Sequence, residues 1–286
     1  MSSKERDRTY PPLPEPLPGP VVDNHTHIEP FQHFPETELA LDQQVELAAA
    51  VGVSRIVQCG CDLEAARWTV AEAVANPAVV GAIAVHPNEA PRLEARTPGG
   101  YQAGLAEIET LARNSRRVRA IGETGLDYFR TAPEGREQQR RAFRDHIALA
   151  KELDLAMQIH DRDAHQDVID ILLADGAPER TVFHCYSGDV EMAQILKAHG
   201  WYASFAGTVT FKNAEGLRAA VATLPPELVL VETDAPYLTP EPYRGRPNAP
   251  FMVALTMRTV AERMGLALAA ACTQVWDNTE RVYGAW

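Results

Sequence analysis

The stretch Val21-Val22-Asp23-Asn24-His25-Thr26-His27 follows a proline-rich leader and predicts the first strand of the fold. Its two valines are β-branched residues, which favour a buried strand. Side chains two positions apart on a strand point to the same face, so His25 and His27 are expected to present two imidazoles to one point. Neutral imidazole is a common ligand of divalent metals. The stretch therefore predicts half of a metal site at the end of the first strand.

Seven further apolar strand segments follow it, each with a helical segment behind it. Runs such as Leu228-Val229-Leu230-Val231 indicate strands that are buried on both faces. Eight βα units predict a parallel sheet, most simply closed as an α/β fold of the (β/α)8 TIM-barrel type. A doubly wound open sheet is the alternative, but no Gly-x-Gly-x-x-Gly turn follows the first strand. The predicted strands are 21–27, 55–60, 79–86, 118–127, 155–160, 181–185, 202–206 and 228–234.

The helical pattern completes the expected organisation. Residues 1–20 contain six prolines and are expected to form an extended leader outside the core, and residues 21–286 to form one barrel domain. Asp62 is the expected N-cap of the second helix. The predicted helices are 37–51, 62–75, 101–114, 134–153, 164–174, 190–199, 214–223, 250–264 and 267–282.

Composition limits the class of protein. Of 286 residues, 45% are hydrophobic and 23% are charged, which is typical of a soluble globular protein. The sequence shows no apolar run of about 18 residues and no secretory signal, so no membrane association is expected. Cys59-Gly60-Cys61 is interpreted as two buried thiols, because no second pair completes a metal clip. With Cys185 and Cys272 it shows no disulfide-scaffold pattern, which favours a cytoplasmic location.

The formal net charge of −12 argues against a basic surface that binds nucleic acid non-specifically. A phosphate-containing substrate must then be attracted locally, by metal ions or by a few arginines. Arg162, Arg244 and Arg246 follow predicted strands and are candidate substrate-binding residues. An arginine in such a loop is more often a solvated surface charge.

Side chains that bind divalent metals recur at predicted strand ends. Active sites of such barrels lie at the carboxyl ends of the strands, so we expect these side chains to meet. Four other histidines (His33, His146, His165 and His199) are expected in surface or packing positions. The candidates at the strand ends are His25, His27, His86, Glu123, His160, His184 and Asp234.

Nitrogen and carboxylate oxygen ligands suit Zn, Mn, Ni or Mg. The candidates exceed what one catalytic ion with an open position needs, so they predict two divalent ions with a bridging carboxylate. Many binuclear hydrolases on this barrel have a carboxylated lysine at the end of the fourth strand, where this chain has Glu123 and no lysine. Glu123 is therefore the expected bridge. His86 is expected either to contact a phosphate or to serve in packing, and Glu232 to support the ligands.

Six motifs, in order and spacing, resemble the TatD-like deoxyribonucleases over roughly residues 21–285. The resemblance implies a divalent-metal-dependent hydrolase that cleaves phosphodiesters, with DNA (a single strand or a 3′ end) as the expected substrate. It also implies that His25, His27, Glu123 and Asp234 hold one ion, and Glu123, His160 and His184 the other. The motifs are Asp23-Asn24-His25-Thr26-His27, Val85-His86-Pro87, Gly122-Glu123-Thr124-Gly125-Leu126-Asp127-Tyr128, Ile159-His160-Asp161-Arg162, His184-Cys185-Tyr186-Ser187-Gly188 and Glu232-Thr233-Asp234-Ala235-Pro236-Tyr237-Leu238.

The chain departs from this family pattern at three places. Arg246-Pro247-Asn248-Ala249-Pro250 lacks a glutamate that often follows the eighth strand. Asn88 stands where a second histidine often follows His-Pro, and Asp161 where a serine often follows the histidine of the fifth strand. The proposed ligands are all retained, so the departures concern substrate contacts and rate.

The expected mechanism is attack on phosphorus by a water that the ions activate, with Asp234 as catalytic proton acceptor and Glu123 as bridge. Two divalent ions outweigh two carboxylates, which leaves positive charge for a phosphodiester. One alternative is an amidase, lactonase or deacylase on the same barrel, and the ligands alone do not exclude it. Another is a non-catalytic metal-binding interaction protein, which the retention of ligands on six strands disfavours.

Overall fold

The computed structural model describes residues 7–30 and 39–286. The described residues contain eight parallel strands whose order in the sheet is their order in the sequence. The predicted TIM-type barrel is thereby confirmed. The strands are β1 (Val21–Thr26), β2 (Val53–Gly60), β3 (Val79–Ile83), β4 (Val118–Asp127), β5 (Ala156–Arg162), β6 (Thr181–Phe183), β7 (Tyr202–Phe205) and β8 (Val229–Val231).

Helices surround the sheet and connect successive strands. Within the described residues they are α1 (Leu41–Ala50), α2 (Leu63–Ala75), α3 (Glu89–Arg96), α4 (Gly100–Asn114), α5 (Pro133–Leu153), α6 (His165–Asp175), α7 (Val190–His199), α8 (Glu215–Thr223), α9 (Val253–Met264) and α10 (Leu268–Tyr283). The predicted cap of α2 is confirmed, since the Asp62 carboxylate accepts the Ala65 N–H at 2.8 Å. Among these helices, none combines the length and the apolar character that crossing a membrane requires.

The barrel closes where the chain beyond β8 meets β1. The Asp234 N–H donates to the His25 carbonyl at 3.0 Å, and the His27 N–H donates to the Ala235 carbonyl at 2.7 Å. The buried Asp23 carboxylate adds a second link, because it accepts the Thr233 N–H at 2.8 Å. This closure holds the first and last strand ends side by side.

Three strands end two or more residues earlier than predicted, and one helix was not predicted. Beyond β3 the His86 carbonyl accepts the Glu89 and Ala90 N–H groups, so the chain turns directly into α3. Asp234 has φ 53° and Cys185 has φ 42°, a left-handed conformation that a strand does not accommodate. The predicted ligands after these strands therefore lie on loops at the carboxyl edge. The predicted start of the first helix at residue 37, and His33, fall outside the described residues.

The described part of the leader, residues 7–20, forms no helix or strand but packs against the barrel. Leu17 is buried, and its N–H donates to the Val51 carbonyl at 3.0 Å. The Tyr10 ring meets Phe251 edge to face, with ring centroids 6.3 Å apart. This segment therefore contributes to the outer apolar layer between the barrel and its helices.

Candidate metal centre

The first two ligand candidates converge as the sequence predicted. The Nε2 atoms of His25 and His27 lie 3.1 Å apart, and both rings are buried. The Nδ1 atom of His25 lies 2.9 Å from the Gln158 side-chain oxygen, and Nδ1 of His27 lies 3.0 Å from the Cys59 carbonyl. Each Nδ1 therefore carries a proton, and the two Nε2 atoms face each other at a separation that needs a proton or a metal ion between them.

Glu123 stands at the centre of the cluster and divides its two carboxylate oxygens between two sets of histidines. Oε2 lies 2.6 Å from His184 Nε2 and 2.8 Å from His160 Nδ1. Oε1 lies 3.4 Å from His27 Nε2 and 3.7 Å from His86 Nε2. The carboxylate is buried, so each oxygen has a defined set of neighbours. This is the arrangement that a carboxylate shared between two cations requires.

Outer carboxylates hold the other nitrogens of two of these histidines. His160 Nε2 lies 3.3 Å from Asp127 Oδ2, and His184 Nδ1 lies 3.3 Å from Glu232 Oε1. Glu232 Oε1 also accepts the Cys185 N–H at 2.7 Å, which fixes its position. Such carboxylate–histidine pairs orient an imidazole and set its tautomer, as they do in metal centres.

Asp234 completes the side of the cluster that contains His25 and His27. Its Oδ1 lies 3.5 Å from His27 Nε2 and 4.0 Å from His25 Nε2, and 14% of the side chain is exposed. The hydrogen bonds that close the barrel produce this position. Since Asp234 is the more accessible of the two central carboxylates, it borders solvent where a substrate would enter.

Burial and mutual contact shift the pKa values of these groups. Burial, with His184 and His27 nearby, holds the pKa of His25 well below its usual value. Burial opposes ionisation of Glu123, but the adjacent His184, His86 and His160 outweigh it and hold the pKa of Glu123 well below its usual value. Glu123 is therefore ionised and His25 neutral, which are the protonation states that bind a cation.

His86 belongs to this cluster, whereas its sequence position suggested no neighbouring ligand. Its ring lies 4.7 Å from that of His160, centroid to centroid, and its Nδ1 accepts the Asn88 N–H at 3.0 Å. Burial lowers the pKa of His86 to about 3, so its imidazole is neutral at physiological pH. With Nδ1 accepting, Nε2 carries the proton and points toward Glu123. His86 can thus donate to a bound anion or to Glu123.

Cys61 lies closer to the centre than its interpretation as a buried thiol implied. Its Sγ is 3.2 Å from Glu123 Oε1 and 3.7 Å from His27 Nδ1, and the residue is only partly buried. Cys59, in contrast, is fully buried, with its Sγ 4.0 Å from that of Cys61. Burial and neighbouring negative charge raise the pKa of the Cys59 thiol to about 11.

The three candidate arginines have different surroundings. Arg162 lies over the exposed ring of Phe129, 3.9 Å from the ring centroid, and Arg244 lies 4.2 Å from the centroid of Phe211. Arg246 is bound to the leader instead, where it donates to the Tyr10 carbonyl at 2.6 Å. Its guanidinium also reaches Asp7 and Thr9. Arg246 therefore links the loop after β8 to the leader, and its guanidinium is engaged there.

Three residues of the site were not among the site candidates from the sequence, and one of them, Cys61, was interpreted there as a buried thiol. Gln158 orients His25, Asp127 orients His160, and Cys61 contacts Glu123. Gln158 lies two positions before His160 on β5, and the two-residue strand period could have pointed to it. Cys61 directly follows β2 and lies at the same carboxyl edge as the other ligands. Asp127 ends the predicted fourth strand, four positions after Glu123, so its strand-end position could likewise have pointed to it.

The donor set fits divalent cations. Two nitrogen lone pairs face each other, and the carboxylates of Glu123 and Asp234 approach the same point. The described residues also contain several groups of three potential ligands with their ligand atoms within 4.8 Å of one another, among them His86, Glu123 and His160. Histidine, carboxylate and thiol groups at these separations form a binding site for divalent metal.

Comparison with known proteins places this centre in a family. A family model described as TatD related DNase matches residues 22–284. An uncharacterized metal-dependent hydrolase TatD of Mycobacterium tuberculosis is 40% identical over 269 residues, covering 92% of this chain and 98% of that protein. The uncharacterized metal-dependent hydrolase YabD of Bacillus subtilis is 34% identical over 265 residues, covering 92% of this chain and 98% of that protein.

A solved structure gives the same result for the fold. The crystal structure of YJJV, a TatD homolog from Escherichia coli K12, superposes with a TM-score of 0.82 at 26% identity, covering 93% of this chain and 98% of that chain. The barrel, the metal-binding cluster and these relatives agree with one another. The chain belongs to the TatD family of metal-dependent hydrolases.

Proposed function

We propose that this protein is a binuclear metal-dependent phosphodiesterase that cleaves DNA. The observation that carries the proposal is the division of the Glu123 oxygens, with Oε2 on His160 and His184 and Oε1 on the side of His27. A carboxylate with histidines on both sides is suited to bridge two cations. In the proposed assignment, His25, His27, Glu123 and Asp234 would hold one ion, and Glu123, His160 and His184 would hold the other.

Two divalent ions (Mg, Mn, Zn or Ni) would supply Lewis-acid chemistry: they acidify water and stabilise negative charge on the attacked group. The protein supplies the proton acceptor. Asp234 lies at the more exposed side of the cluster, and its carboxylate oxygen takes the proton of the attacking water. Its neighbours are two histidines and no arginine or lysine within salt-bridge distance among the described residues, so Asp234 remains available as a base.

His86 and two arginines are the proposed substrate contacts. His86 is neutral and carries its proton on Nε2, so it can donate to a phosphate oxygen next to Glu123. Arg162 and Arg244 each lie over an aromatic ring, which holds the guanidinium in place without neutralising it. A phosphodiester strand needs such local positive charge, because the chain as a whole carries −12.

The description of the matching family as TatD related DNase supports DNA as the substrate, and a single strand or a 3′ end suits a site at a barrel edge. The four cysteines are free, as a reducing compartment requires, and we propose a cytoplasmic location on that basis. The competing function is hydrolysis of an ester, amide or lactone, since an activated water also attacks carbonyl carbon.

The test starts from protein stripped of metal with a chelator. Mg, Mn or Zn is added back, and the cleavage of end-labelled single-stranded DNA is followed beside that of a carbonyl ester and an amide. The proposal predicts metal-restored DNA cleavage that is lost in Asp234→Asn. The matched control is Asp42→Asn, an exposed carboxylate on α1 outside the cluster, which should keep full activity.

Two results would argue against the proposal in different ways. If the protein binds two equivalents of metal but turns over only the carbonyl substrates, the binuclear centre stands and the DNA substrate is wrong. Binding of less than two equivalents by fully folded protein would remove the binuclear assignment itself. A ladder of fragments or single mononucleotides would separate endonuclease from exonuclease action.

A further inference from the structure

Cys61 occupies a position that the proposed ligand assignment does not use. Its Sγ lies 3.2 Å from Glu123 Oε1, and Glu123 Oε1 lies 3.4 Å from His27 Nε2. The Sγ–Oε1 and Oε1–Nε2 separations match those of neighbouring ligands of a tetrahedral ion, where metal–sulfur distances are about 2.3 Å and metal–nitrogen distances about 2.0 Å. Sγ also lies 3.7 Å from Nδ1 of the same His27 ring. His27, Cys61 and Glu123 form one of the groups of potential ligands in the described residues.

A second observation places positive charge at this point. His25 and His27 are at most 5% exposed, and their Nε2 atoms lie 3.1 Å apart with both Nδ1 atoms engaged elsewhere. Two buried imidazole nitrogens do not approach this closely unless a proton, or a metal ion that replaces it, lies between them. Asp234 Oδ1, 3.5 Å from His27 Nε2, adds negative charge at the same place.

We propose that Cys61 is a thiolate ligand of the ion held by His27 and Glu123, and that it biases this centre toward zinc over magnesium. The thiol releases its proton to solvent as the metal–sulfur bond forms. Thiolate is a soft ligand that zinc accepts readily, whereas magnesium prefers oxygen ligands in octahedral geometry. The inference rests on the metal centre of the proposed function but not on its DNA substrate.

The position of Cys61 at the end of β2 makes this role compatible with the bridge. Glu123 Oε2 faces His160 and His184, so a thiolate beside Oε1 would contribute to the ion on the side of His27 and not to the one on the side of His160 and His184. A negative thiolate on that ion lowers the net positive charge of the pocket while leaving the second ion unchanged. The two ions would then differ, with one held by nitrogen, oxygen and sulfur and the other by nitrogen and oxygen.

The test uses the full chain, stripped with chelator and titrated with Co²⁺. A thiolate–cobalt bond gives a charge-transfer band in the near ultraviolet, separate from the visible d–d bands that report binding itself. Wild-type protein should show both, and Cys61→Ser should lose the charge-transfer band while retaining the d–d bands. Cys59→Ser and Cys272→Ser are the matched controls, and both should keep the charge-transfer band. Cys59 tests the neighbouring thiol, whose Sγ lies 4.0 Å from that of Cys61, and Cys272 lies on α10.

A competition titration measures the metal preference. The ratio of Zn²⁺ to Mg²⁺ affinity should fall by at least about tenfold in Cys61→Ser and stay unchanged in Cys272→Ser. Cobalt binding by the wild type without a charge-transfer band, or a band lost in Cys59→Ser but kept in Cys61→Ser, would overturn the inference. Failure of the wild type to bind cobalt at all would instead contradict the metal centre of the proposed function.

Discussion

The Nδ1 atom of His25 lies 2.9 Å from the side-chain oxygen of Gln158, a residue 133 positions further along the chain. The Gln158 amide is itself fixed, because its Nε2 donates to the Asn24 carbonyl at 2.7 Å and lies 2.7 Å from the Tyr283 hydroxyl. The amide oxygen is thereby the group that faces His25. This contact determines which nitrogen of His25 is free to bind a cation.

Replacement of Gln158 by leucine should weaken metal binding at the His25 side. The substitution removes the acceptor that keeps the proton on Nδ1, so His25 loses its fixed tautomer and orientation. Zn²⁺ affinity measured by chelator competition should fall by about 10–100-fold. Gln166→Leu, on the exposed part of α6, is the control and should bind as the wild type does. Unchanged affinity in Gln158→Leu would show that the contact does not orient the ligand.

Glu123→Gln should reduce the amount of metal bound. The amide removes the negative charge that both histidine sets surround, and it cannot bridge two cations as a carboxylate does. Elemental analysis after dialysis should give less than two equivalents, with circular dichroism unchanged. Full retention of metal by Glu123→Gln would exclude Glu123 as the bridge.

Asp234→Asn should lower DNA cleavage by about 10²–10⁴-fold, the usual contribution of a general base.

Arg162→Ala and Arg244→Ala should each raise KM for single-stranded DNA. Each should also make the slope of log affinity against log salt concentration shallower by about one, the value for the loss of one phosphate contact. Their guanidinium groups are held over Phe129 and Phe211 without a carboxylate partner among the described ion pairs. Steady-state kinetics at several salt concentrations measure both effects.

Arg246→Ala provides the comparison for these two variants. Its guanidinium is bound to Thr9 and Tyr10 of the leader, so its loss should lower the melting temperature and leave KM unchanged. A raised KM in Arg246→Ala at wild-type stability would return this arginine to the substrate-binding residues.

His146 should make stability depend on pH. The ring is fully buried on α5, where Nε2 accepts the Val85 N–H at 3.3 Å and Nδ1 donates to the Ala142 carbonyl at 2.7 Å. Burial lowers its pKa to about 4, whereas the unfolded chain has the ordinary value of about 6.5. Below about pH 6.5 the unfolded state binds a proton that the native state does not, so stability is lost as pH falls toward 4.

The expected loss from this one group is about 3 kcal/mol over that interval. Urea unfolding in the presence of chelator, which removes the contribution of bound metal from both proteins, measures it. His146→Gln should be less stable at pH 7 but should show a shallower decline between pH 6.5 and 4.5. Equal slopes in the two proteins would exclude His146 as the source.

The amino-acid sequence by itself determined the barrel and identified candidate ligands that the structure brings together. Near-continuous apolar strands alternating with helices leave a parallel sheet as the arrangement that buries both strand faces. Since parallel strands direct their carboxyl ends to one edge, His25, His160 and His184 could be expected together from their strand positions alone. The fourth strand was predicted with its observed bounds, Val118–Asp127.

Only the tertiary structure decided which further side chains reach that edge and in what direction. Asp234 lies beside His25 because hydrogen bonds between residues more than 200 positions apart close the barrel. The direction of Arg246 toward the leader, and of Cys61 toward Glu123, likewise depends on segments distant in sequence. Local sequence periodicity predicts strands, helices and their ends. These contacts, in contrast, depend on how the closed sheet and its loops pack. The sequence therefore determined the barrel, and packing determined the surroundings of each ligand.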